Sequence, residues 1–129
     1  MLKGFDEQTK PLNDQELSVA QDIKVGLNQL YAQHGDRAHV SNKRIRQWLK
    51  INRGITLSPA RIRKIMNWAR VTGYIRCVGA DSKGYWISTN KEDQVSYVQS
   101  LNGRINAILK LRNAYMEQCN LKPEDIPYE

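Results

Sequence analysis

The chain has 129 residues, 40% hydrophobic and 26% charged, with a net charge of +7. That is enough apolar material for one small domain with an extension. It is not enough for a membrane span, because no run approaches the ~18 consecutive apolar residues required. The charge is unevenly placed. Residues 41–88 hold eleven Lys and Arg against a single acid, Asp81, and so carry +10, while residues 1–40 carry −2 and residues 89–129 carry −1. A field so localised is the usual footprint of a surface that meets phosphate.

The opening MLKGFDEQTK has no apolar centre and is not expected to be a secretory signal; residues 1–12 are expected to be a tail. Asn13 and Glu16 are spaced as a capping box, with Leu12 and Leu17 as a hydrophobic staple. The stripe Leu17, Ala20, Ile23, Leu27, Leu30, Tyr31 then runs at helical spacing until Gly35, predicting a first helix over about 14–33. Ala38-His39-Val40 is expected to add a short strand. Ser41 caps a second helix with Ile45, Trp48 and Leu49 as its buried stripe, and Gly54 ends it. Ser58 caps a third, with Pro59 at the favoured first position, Ile62, Ile65, Met66 and Ala69 facing inward, and Gly73 as terminator.

After Gly73 the period falls to two. Tyr74-Ile75-Arg76-Cys77-Val78 and Tyr85-Trp86-Ile87-Ser88 alternate around the turn-forming stretch 79–84, which predicts a hairpin with Lys83 at its tip. Trp86 is expected to pack against the last helix. That helix is expected from Thr89, paired with Glu92 as a capping box, to about Cys119, running unbroken through Asn102-Gly103; the Pro-containing stretch 120–129 is expected to fray. Cys77 and Cys119 read as small core residues rather than a disulfide, in keeping with an intracellular, soluble chain. The fold class expected is therefore mainly α with a β-hairpin (α+β), residues 13–88 forming the domain and 89–119 a long C-terminal helix.

This order, with VSNKRIRQWL, LSPARIRKIMNWARVTGYI and VGADSKGYWIS at its landmarks, resembles the winged helix-turn-helix superfamily, in the small form found in bacteria and their phages. The resemblance implies a cytoplasmic double-strand DNA-binding protein with residues 59–71 as recognition helix. The residues agree. Opposite the core stripe lie Ala60, Lys64 and Asn67, flanked by Arg61 and Trp68 on one side and by Arg63 and Arg70 on the other. A small residue, an amide and cations are what a major groove accepts. Ser41, Asn42, Lys43, Arg44 and Arg46 open the second helix, where free backbone N–H groups and the helix dipole favour a phosphate; Ser58 caps the third. Ser82 and Lys83 on the wing are placed to reach the minor groove or adjacent phosphates. Transcriptional regulation, or an accessory role in phage or plasmid replication or maintenance, would follow. A protein-interaction module on the same scaffold and an RNA binder are the alternatives.

Val98, Leu101, Ile105, Ile108, Arg112, Tyr115 and Cys119 follow the 3-4-3-4 spacing of a coiled-coil seam, which predicts a homodimer through the last helix and two recognition helices about one DNA turn apart. No catalytic or small-molecule site is expected. His34, Asp36 and His39 straddle Gly35 without a fourth metal ligand, and the Gly79–Gly84 spacing is followed by Tyr85 and Trp86 where a phosphate loop needs Lys and Ser or Thr. No cofactor is expected.

Overall fold

In the computed structural model, residues 11–36 and 38–127 are described; the expected tail at 1–12 lies almost wholly outside them. Among the described residues there are four α-helices and one antiparallel hairpin: α1 (Asp14–His34), α2 (Asn42–Arg53), α3 (Pro59–Thr72), β1 (Val78–Asp81), β2 (Gly84–Ile87) and α4 (Lys91–Gln118). The class is mainly α with a small β component. They form two units, one ending at Asn90 and the other beginning at Lys91. No helix among the described residues is long and apolar enough to cross a membrane.

The first unit is built around α3. Its inner face, Ile62, Ile65, Met66 and Ala69, is fully buried, and α1 and α2 both pack on it. Val19, Ala20, Ile23 and Leu27 come from α1, and Ile45 and Leu49 from α2. Each buried Val, Leu, Ile or Met among these stabilises the fold by about 1.5–3 kcal/mol. The caps form as their spacing demands. Glu16 N–H donates to Asn13 Oδ1 (2.8 Å) while Asn13 N–H donates to Glu16 Oε1 (3.0 Å). Ser41 and Ser58 accept from the backbone of Arg44 and Arg61. Gly73 ends α3 in the left-handed conformation (φ 76°), which a β-carbon disfavours.

Four expectations need correcting here. Leu17 is exposed and Glu16 is buried in its place, because α1 turns its first-turn acid, not its leucine, toward α3. Trp48 is 48% exposed rather than core: α2 meets α3 through Ile45 and Leu49, and Trp48 stands on the edge toward α1. The hairpin begins four residues later than its alternation suggested. Val78, Gly79, Ala80 and Asp81 pair with Ile87, Trp86, Tyr85 and Gly84 around a two-residue turn, Ser82-Lys83. Residues 74–77 are turns instead; Ile75 is buried from irregular backbone, its N–H bonded to the Ala69 carbonyl, and so imitates a strand residue. Lastly, both cysteines are exposed thiols, Cys77 because it sits at positive φ (60°) in that turn.

The expected third strand is one bridge. Val40 N–H donates to the Tyr85 carbonyl (2.9 Å) and Tyr85 N–H to that of Val40 (2.8 Å). The inner face of β2, Tyr85 and Ile87, completes the core against α1.

In the second unit α4 is continuous through Gly103, as its apolar spacing implied, and no residue of it is buried. Its capping box does not form: the Thr89 hydroxyl is bonded to Tyr31 Oη at 2.6 Å, and the helix begins at Lys91. The tail beyond it is partly ordered, with a 3₁₀ turn at Pro123–Asp125 closed by Lys122 N–H donating to Asp125 Oδ2.

Candidate nucleic-acid interface

Three segments of the basic block converge through two contacts. Asn42, in the first turn of α2, donates from its side-chain amide to the Pro59 carbonyl in the first turn of α3 (3.1 Å). On its other side the chain entering α2 is bridged to β2 through Val40 and Tyr85, and Gly84 lies so close to Val40 and Ser41 that a β-carbon there would overlap the Val40 carbonyl. The N-terminal ends of two helices and the hairpin turn are thus neighbours. Neither first turn, of α2 or of α3, contains an acid to offset the positive dipole end of its helix.

Of the residues singled out from the sequence, Lys43, Arg44, Ala60, Arg63, Ser82 and Lys83 are exposed at or beside this junction. Lys43, Arg44, Arg63 and Lys83 form no ion pair with any described residue, and neither do Lys50 and Arg76 elsewhere on the unit. Ser41 and Ser58 are helix caps. Asn42 is the tie between α2 and α3 and also accepts from Arg46 Nε (2.8 Å), which holds that guanidinium along α2. Asn67 is half-buried and not free.

Lys64 is not at the centre of an exposed face. Its ammonium lies 3.0 Å from both oxygens of Glu16, whose side chain is 1% exposed, and Arg61 approaches the same carboxylate at 3.4 Å. The flank of α3 that carries Arg61, Lys64 and Trp68 is therefore turned toward α1. Trp68 belongs to the same packing: its ring rests on Tyr74 (5.2 Å between centroids), and Lys24 of α1 lies over the far ring. Burial works against the charge on Glu16, but the Asn13 N–H, the Lys64 ammonium and Arg61 outweigh it and hold the carboxyl below its ordinary value of 4.5. What α3 presents to solvent is the other flank, Ala60, Arg63 and Val71. Sequence reasoning also missed that Arg53 is bonded to Asp22 and to Ser18 of α1.

The hairpin turn is held by the one acid of the block. Asp81 Oδ1 accepts from the Lys83 N–H (2.8 Å), and Oδ2 lies 3.3 Å from His39 Nε2. Burial opposes the Asp81 charge, yet the Lys83 and Gly84 amides and His39 keep its carboxyl below the usual range. Trp86, on the outer face of β2, lies over Gly79 and against the His39 ring (4.8 Å). This lone acid therefore shapes the turn that displays Lys83 and forms no ion pair with a described Lys or Arg.

Adjoining this junction at Val40 and Arg44, an open groove of about 340 Å³ runs between α1 and α2, lined also by Val25, Gly26, Leu30 and Trp48 among others. No protein-family model, curated protein or solved structure matches this chain.

Proposed function

We propose that the first unit binds double-stranded DNA in the manner of a winged helix-turn-helix domain. The first turns of α2 and α3 and the hairpin turn meet the backbone, and the Ala60–Arg63 flank of α3 enters the major groove. One observation carries this reading: two helix N-termini and a lysine-tipped turn are brought together, with Lys43, Arg44, Arg63 and Lys83 exposed around them and without ion pairs to described residues. Arg63 is the side chain suited to a guanine edge, and the other three to phosphates. A role as a cytoplasmic regulator or accessory factor of phage or plasmid DNA would follow from such binding.

The test is a titration of the full chain with duplex DNA, single-stranded DNA and RNA over a range of salt. With about four to six phosphates neutralised per protomer, log affinity for duplex falls against log salt with a slope of roughly −4 to −5. Arg63→Ala is expected to cost about 1–3 kcal/mol and to relax sequence preference, whereas Lys43→Ala and Lys83→Ala weaken all duplexes alike. A slope near zero removes the reading. In that event the apolar groove beside Trp48 favours the second one, a protein-docking module.

A further inference from the structure

The second unit presents a helix whose apolar side chains have no cover within it. Val98, Ile105, Ile108, Leu109, Leu111 and Tyr115 are all exposed. Six exposed apolar side chains on one helix of a small protein call for a partner. We propose that the partner is a second copy of the same helix, running antiparallel.

Three features of the chain select this occupant and this direction. Val98, Leu101, Ile105, Ile108 and Tyr115 lie on a 3-4-3-4 seam interrupted only by Arg112, with Leu109 and Leu111 flanking it, which suits another helix of the same repeat, and Gly103 falls opposite that seam, where it does not interrupt it. The second feature is Arg112, which occupies a seam position between Ile108 and Tyr115. A parallel pair sets Arg112 against the partner's Arg112 inside an apolar layer, an uncompensated like-charge contact. An antiparallel pair can instead set Val98 opposite the partner's Ile108 and Leu101 opposite the partner's Ile105. Both Arg112 side chains then move outward, opposite the partner's Gln94 and toward its acidic first turn, and Tyr115 faces the partner's Lys91, a cation over an aromatic ring.

The third feature is charge. Residues 41–88 carry +10 and precede the helix. In a parallel pair both blocks are attached at the same end of the two helices. In the antiparallel register above, where Lys91 faces the partner's Tyr115, the attachment points are separated by most of the length of α4, about 36 Å, several screening lengths at physiological salt.

Cys119 provides a native probe of direction. It is exposed and occupies the next seam position after Tyr115. In a parallel pair the two Cys119 thiols face one another within disulfide reach, while in the antiparallel pair they are on the order of 40 Å apart. The experiment uses the full chain. Sedimentation at micromolar concentration is expected to give twice the 14.9 kDa of one chain. Oxidation of the Cys77→Ser variant is expected to leave that dimer without a covalent link. In a background lacking both native cysteines, chains bearing Val98→Cys and chains bearing Ile108→Cys, unfolded and refolded together, are expected to cross-link with each other and not with themselves. A 14.9 kDa species, a Cys119–Cys119 disulfide, self-linking of either variant, or absence of the mixed cross-link overturns the proposal. None of these results bears on duplex binding by the first unit, and loss of duplex binding would leave this pairing untouched.

Discussion

Glu16 shows how one side chain can serve two levels of structure. It closes the capping box at the start of α1, and the same carboxylate receives Lys64 and Arg61 from α3. Removing Lys64 leaves a buried carboxylate with only the Asn13 amide and the more distant Arg61, so Lys64→Ala is expected to lower stability by about 2–3 kcal/mol in chemical denaturation. Its effect on duplex affinity, measured where the variant remains folded, is expected to be smaller than that of Arg63→Ala. The acid limb follows with a definite sign. The Glu16 carboxyl is held below 4.5 in the folded chain, so its stabilisation is complete above that value and is lost as pH falls through the lower, folded one. Glu16→Gln is expected to flatten the dependence of unfolding free energy on pH in that window while lowering stability at neutral pH. An unchanged acid limb would show that another carboxylate governs it.

At the scale of elements, the hairpin depends on a single close approach. Gly84 has φ 131°, and a β-carbon there would overlap the Val40 carbonyl. Gly84→Ala is therefore strained in its backbone and displaces the chain entering α2, with an expected loss of about 2–4 kcal/mol, against less than about 0.5 kcal/mol for Ser82→Ala in the exposed turn. Helix ends were readable from sequence because caps are local: Asn13 with Glu16, Ser41, Ser58 and the glycines at 35, 54 and 73 interact within a few residues of themselves. The hairpin register was not, since period-two alternation reports burial and not pairing. Ile75 and Val78 are both buried, yet only the second is in a strand. Trp48 failed for a related reason. Helical spacing defines a face of α2, but how far that face is covered depends on where α1 lies, and the groove left open there exposes the ring.

For the whole molecule, the sequence reveals where charge accumulates but not how it is shared. Two of the three acids of α1 are committed to the bases of the following helices, Glu16 to Lys64 and Arg61, Asp22 to Arg53, across sequence separations that no periodicity records. The exposed cations without ion pairs to described residues are consequently a subset of the eleven: Lys43, Arg44, Arg63 and Lys83 around the meeting of α2, α3 and the hairpin turn, and Lys50 and Arg76 elsewhere on the unit. The same meeting point has a kinetic consequence. The paired bonds between Val40 and Tyr85 join chain positions with α2, α3 and β1 lying between them, and contacts so distant in sequence are slow to close and form late in folding. In native-state hydrogen exchange the amides of Val40 and Tyr85 are expected to open together, with a free energy set by undocking of the hairpin from the start of α2, and Gly84→Ala is expected to speed both equally. Exchange at one amide without the other would mean that the turn moves independently of the helices. If they open as one, the spacing between Lys83 and the first turn of α2 is as durable as that docking, and the reach of this surface along a ligand is set before any ligand arrives.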